Sequence, residues 1–73
     1  MQNNAYVVVI ENAGNNYSAY SPDVPGCITT GDTPEETFEN FKEALDLHFE
    51  ALRDEGWAIP QPSATVRYLE NAA

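Results

Sequence analysis

Apolar positions in the first third of the chain are grouped as short β-stretches broken by turn formers. Ala5-Tyr6-Val7-Val8-Val9-Ile10 is a β-branched run, and Asn12-Ala13-Gly14-Asn15-Asn16 behind it tolerates positive φ, so a strand entering a hairpin is predicted. Tyr17 to Ser21 alternates larger and smaller groups up to Pro22, which predicts the second strand. Asp23-Val24-Pro25-Gly26 reads as a kinked connection, and Cys27 to Thr30 as a third short strand closed by Gly31-Asp32.

The period then changes to that of a helix. Thr33, Pro34 and Glu36 form a capping box with proline at the first helical position, and no further proline or glycine occurs before Gly56. Phe38, Phe41, Leu45, Phe49 and Leu52 recur at spacings of three and four, an apolar stripe that predicts a helix from Pro34 to Glu55 lying on the sheet. Trp57 and Ile59 are expected to seal the end of the core. Pro60-Gln61-Pro62-Ser63 reads as an extended tether, and Ala64 to Leu69 as a last strand. The order β-β-β-α-β predicts an α+β, two-layer domain spanning residues 1–73, with a right-handed crossover placing the fourth strand parallel to the first.

The first strand carries apolar residues on both faces: Tyr6, Val8 and Ile10 on one, Val7 and Val9 on the other. One helix covers one face, so Val7 and Val9 are expected to meet a second copy in a homodimer or larger assembly. The size of the chain points the same way. At 73 residues a core is small, and a single cysteine allows no internal disulfide to reinforce it.

Charge narrows the choice of partners. Twelve Asp and Glu against three Lys and Arg give a net charge of -9, which supplies no footprint for a phosphate backbone. Direct nucleic-acid binding is therefore not expected, and neutral or basic partners are. Met1-Gln2-Asn3-Asn4 lacks the charged start of a leader and no run is long enough to span a membrane, so a cytoplasmic location is expected.

Much of the acid falls on the helix. Glu35, Glu36, Glu39, Glu43, Asp46, Glu50 and Asp54 lie away from the aromatic stripe, and several form like-charged pairs four residues apart that Lys42 and Arg53 relieve only in part. Glu39, Glu43, Asp46 and Glu50, with Trp57 as an aromatic anchor if exposed, are the candidate partner-binding surface. The plainer reading is a solvated face that favours solubility. Carboxylates ranged along one helix do not converge as acid/base or metal sites require, so neither an enzyme nor a metal or other cofactor is expected. His48 reads as half-buried packing. Cys27 reads as a small buried hydrophobe, and His48 is the only base in the chain that could activate it.

The stretch from Pro22 through Asp23-Val24-Pro25-Gly26-Cys27-Ile28-Thr29-Thr30-Gly31-Asp32-Thr33-Pro34-Glu35-Glu36 closely resembles the signature of the HicB-like antitoxin family. Asn40-Phe41-Lys42-Glu43-Ala44-Leu45, the helix end Glu55-Gly56 and Ile59-Pro60-Gln61-Pro62-Ser63 agree with it, so the likeness covers residues 5 to 69. The resemblance implies a partial RNase H-like fold without the metal-binding carboxylates of that enzyme. It also implies a partner: a small basic toxin, HicA-like, that cleaves mRNA with a histidine and is masked by the antitoxin. Longer relatives carry a C-terminal DNA-binding domain. The chain reads as a short form, since Asn71-Ala72-Ala73 follows the last expected strand, and binding to an operator is not expected.

Pro25, Gly26, Cys27, Gly31, Asp32, Thr33 and Glu36 of the signature are assigned mainly to shaping turns and the helix entry. Two further readings stay open beside the antitoxin: a solitary structural or regulatory oligomer without a toxin, and an RNase H-like metal nuclease.

Overall fold

The computed structural model describes residues 5–72, so the start Met1 to Asn4, read above for the lack of a leader, lies outside it. Strand β1 (Val9–Asn12) pairs antiparallel with β2 (Tyr17–Ser21), which pairs antiparallel with β3 (Val24–Gly31), and helix α1 (Pro34–Asp54) follows. The sheet order is β1-β2-β3, so both outer strands are edges among the described residues. This is the expected α+β order up to the helix.

Local chemistry accounts for each boundary. Asn12 Oδ1 accepts from the Gly14 amide at 2.9 Å, the Ala13 amide donates to the Asn16 carbonyl, and Gly14 takes φ +98° where a side chain would be strained. Ladder pairing begins at Val9 rather than Ala5, because the register set by this hairpin leaves only Ser21, the last residue of β2, opposite the run before Val9. At the other end of β2 the turn is Pro22-Asp23 alone, and β3 starts at Val24, three residues earlier than expected. Between the pairs Tyr20–Ile28 and Ser21–Val24, β2 advances one residue while β3 advances four. Pro25, Gly26 and Cys27 therefore form a bulge within the strand, with Gly26 at φ +84°. Proline is tolerated there because β3 is an edge.

The helix begins as its capping box predicts. Thr33 Oγ1 accepts from the Glu36 amide at 3.0 Å, while Glu36 Oε1 reaches back past Thr33 to the Asp32 amide at 3.1 Å. At the far end Gly56 donates to the Arg53 carbonyl and Trp57 to that of Leu52, with Gly56 at φ +73°, a Schellman closure.

The buried stripe is rotated from the one expected. Phe41 is buried against Ala19, Val24 and Cys27, with Ala44, Leu45 and Phe49 beside them, and Thr37 is fully buried with its hydroxyl donating to the Thr33 carbonyl. Phe38 is left 41% exposed, because the helix turns Thr37 rather than Phe38 onto Gly31 of β3. Tyr6, Val8 and Ile10 pack on the core as expected, Tyr6 with its ring 5.4 Å from that of Phe49.

The last element departs from expectation. Residues 57–72 form no strand. After Gly56 the chain runs across the end of the sheet, where the Tyr6 hydroxyl donates to the Pro60 carbonyl and Asp23 captures Ser63 and Ala64. That path leads away from the edge of β1, so Ala64 to Leu69 meets no ladder partner. Trp57 does not seal the core either. It is 64% exposed, and Ile59 alone lines the cleft it shares with Tyr6, Leu45 and Phe49.

Candidate functional site

The outer side of α1 is a continuous acidic ridge. Glu39, Glu43, Asp46 and Glu50 succeed one another at intervals of three or four residues, which places them in one row. The helix is anchored under them by Phe41, Leu45 and Phe49, so the ridge is a rigid rod of charge rather than a flexible tail. Lys42 Nζ lies 3.5 Å from Glu39 Oε2, an ion pair open to solvent that neutralises little. Trp57 stands just beyond the C-terminal end of the helix as an exposed aromatic. Such a row attracts and orients a basic surface; it does not bring two carboxylates onto one reacting atom.

The signature residues occupy the junction between sheet and helix. Pro25, Gly26 and Cys27 make the bulge of β3, and Asp32, Thr33 and Glu36 share the helix cap. Gly31 ends β3 directly beneath the first turn of α1: a β-carbon there would stand 2.6 Å from Thr37 Oγ1 and 2.8 Å from the Thr37 nitrogen. Its place in the signature is explained by this approach, not by backbone conformation.

Asp23 is a position that sequence reasoning missed, since its partners lie 40 and 41 residues away. Its carboxylate accepts from the Ser63 amide at 2.9 Å, the Ser63 hydroxyl at 2.8 Å and the Ala64 amide at 3.0 Å. Those hydrogen bonds, first the Ala64 amide and then the two from Ser63, lower its pKa below the ordinary carboxylate value. A depressed folded-state pKa means that the clamp is fully made above the ordinary value and is lost as pH falls through the lowered one. Amide hydrogen exchange at Ser63 and Ala64 is therefore expected to be protected near neutrality and to lose protection on acidification below the ordinary Asp range. Asp23→Asn should give weak protection with no such pH dependence.

A shallow groove runs between β3 and α1, lined by Gly26, Cys27, Ile28, Ala44, Leu47 and His48. It brings Cys27 and His48 to one place without a hydrogen bond between them. Burial pushes the Cys27 thiol pKa up, opposite to what activates a nucleophile, and the His48 ring lies 6.3 Å from that of Phe49. On the open face of the sheet Val9, Tyr20 and Ile28 stand in one cross-strand row, with Val9 and Val7 half-buried and Ile28 68% exposed.

Among the described residues no three His, Cys, Asp or Glu side chains are grouped closely enough to hold a metal ion, and no helix is long and apolar enough to cross a membrane. Three strands backed by one acidic helix define a small α+β protein whose developed features are surfaces. The chain belongs to the HicB-like antitoxin family: the model of the HicB_like antitoxin of bacterial toxin-antitoxin systems matches residues 6–73. The membership that Pro22 to Glu36 led us to expect is thus shown.

The chain is 34% identical over 64 residues to a 14.9 kDa protein of the rep-hol intergenic region of Haemophilus phage HP1, covering 88% of this chain and 48% of that one. It thus spans about half the length of the phage relative. UPF0150 proteins of Synechocystis (35% over 65 residues, 88% of this chain and 82% of that one) and Helicobacter pylori (42% over 65 residues, 88% and 90%) match in the same way. Among solved structures, the HicA3 and HicB3 toxin-antitoxin complex contains a chain similar to this one. The TM-score is 0.71 and the identity 33%, over 82% of this chain and 70% of that one.

Proposed function

We propose that the chain is a non-enzymatic antitoxin that binds a small basic toxin of the HicA type and covers the surface with which that toxin cleaves mRNA. The observation that carries this reading is the likeness in fold and sequence to a chain of a HicA3 and HicB3 toxin-antitoxin complex. The ridge Glu39, Glu43, Asp46 and Glu50, with Trp57 beyond its end, supports it as a surface complementary to a basic partner. In this reading the three strands and the helix are the larger part of a partial RNase H-like fold, and the protein acts in the cytoplasm, where mRNA is cleaved.

The test is capture on the tagged full chain from its source cells at low and at high salt, with mass spectrometry of what is held in stoichiometric amount. A small basic protein that salt releases is the expected result. The apolar row of Val9, Tyr20 and Ile28 favours a second reading, a homo-oligomer without a toxin. Self-association alone, at every salt concentration, would overturn the antitoxin in its favour.

A further inference from the structure

The segment beyond Asp23 is built like a strand and meets none. Val66 is 55% exposed, Tyr68 95% and Leu69 94%, an apolar content that a solvated tail does not need. Its point of departure is fixed. Pro60 is held by Tyr6 on the β1 side of the sheet, and Ser63 and Ala64 are held by Asp23 in the turn where β3 begins. The chain thus crosses the end of the sheet from β1 to the turn that opens β3, a strand whose outer edge has no strand beside it among the described residues and is flanked by the groove of Cys27, Ile28, Leu47 and His48. Ile28 and Leu47 in that groove are 68% and 67% exposed. Free edge, apolar groove and unpaired apolar segment are the three components of strand addition.

Charge indicates whose segment fits. Ser63 to Leu69 has one charged residue, Arg67, in a chain of net charge -9. The groove's helical rim is Leu47 with the exposed Glu43 and Glu50 on either side along the same row. A strand carrying Arg67 is thus electrostatically matched to this rim. We propose that two copies of the chain exchange their C-terminal segments, Ala64 to Leu69 of each adding to the β3 edge of the other and seating its apolar side chains beside Ile28 and Leu47. The clamp at Asp23 is the fixed base of the arm, which limits the conformational freedom lost on docking.

Exchange makes a prediction that an ordinary face-to-face dimer does not. In sedimentation velocity the full chain should be dimeric at micromolar concentration, and Tyr68→Asp on the arm or Leu47→Asp on the groove should each weaken the dimer by roughly ten-fold or more. Both positions are exposed, so circular dichroism of the two variants should match that of the parent. Mixing them should restore dimer above the level of either alone, since the mixed pair keeps one intact arm on one intact groove.

A monomeric parent would overturn the proposal. So would variants that stay fully dimeric, or a mixture no more dimeric than its components. The measurement uses this chain alone, so its outcome is separate from that of toxin capture.

Discussion

Gly31→Ala is expected to destabilise the protein by about 2–4 kcal/mol, a large part of the roughly 4–11 kcal/mol available to a chain of this size. A β-carbon at Gly31 would meet Thr37 Oγ1 at 2.6 Å, the Thr37 nitrogen at 2.8 Å and the Thr37 Cα at 2.9 Å. Two of these are backbone atoms of the first helical turn, which no rotamer change can move. That turn is in turn fixed by the Thr33 cap and by the Thr37 hydroxyl bonded to the Thr33 carbonyl at 2.7 Å. The helix must therefore lift from β3, exposing Phe41 and Val24.

Gly14→Ala is the control. Its φ of +98° makes alanine strained, yet nothing lies within 4 Å of the added carbon, so about 1 kcal/mol is expected. Urea denaturation followed by circular dichroism distinguishes them. Equal costs at the two positions would show that the approach of helix to strand is not what Gly31 provides.

Reversing charge at Glu39, Glu43 and Glu50 together, each to lysine, is expected to slow association with a basic toxin by roughly ten- to hundred-fold at low salt and to flatten its salt dependence. The three residues are exposed on one row of the helix, so no core contact is altered. Helix stability should change little, since the solvent-exposed Lys42–Glu39 ion pair is lost while new opposite-charge pairs form. The lysine introduced at position 39 would face Glu35, and the one at position 50 would face Asp46 and Asp54, at the four-residue spacing where like charges now stand. Stopped-flow association over a range of salt measures the effect. Rates and salt slope equal to those of the parent would remove the ridge from the docking surface.

What could be read from the sequence was what neighbouring residues decide. The Thr33-Pro34-Glu36 cap, the Gly56 stop and the Asn12 to Asn16 turn each close hydrogen bonds within five residues, and all three are found where the pattern places them. Pro25 and Gly26 misled because they are turn formers in general, whereas here an edge strand absorbs them in a bulge. Phe38 misled in another way. Helical periodicity gives a stripe but not its rotation, which is set by how near Gly31 lets Thr37 come.

The last strand failed for a third reason. A strand exists only with a partner, and the contacts that direct Ala64 to Leu69 away from β1 come from Tyr6 and Asp23, 54 and 40 residues distant from the groups they hold. The acidic ridge was legible because exposure of a charged helical row follows from amphipathicity alone. Asp23 was not, since no local pattern marks a carboxylate whose donors lie at the other end of the chain.

That the chain masks an RNA-cleaving protein is tested most directly by adding it in rising proportion to its captured basic partner and labelled RNA. RNA left intact once the two proteins are equimolar is the predicted result. Cleavage that proceeds as fast with the complex as with the partner alone would contradict it.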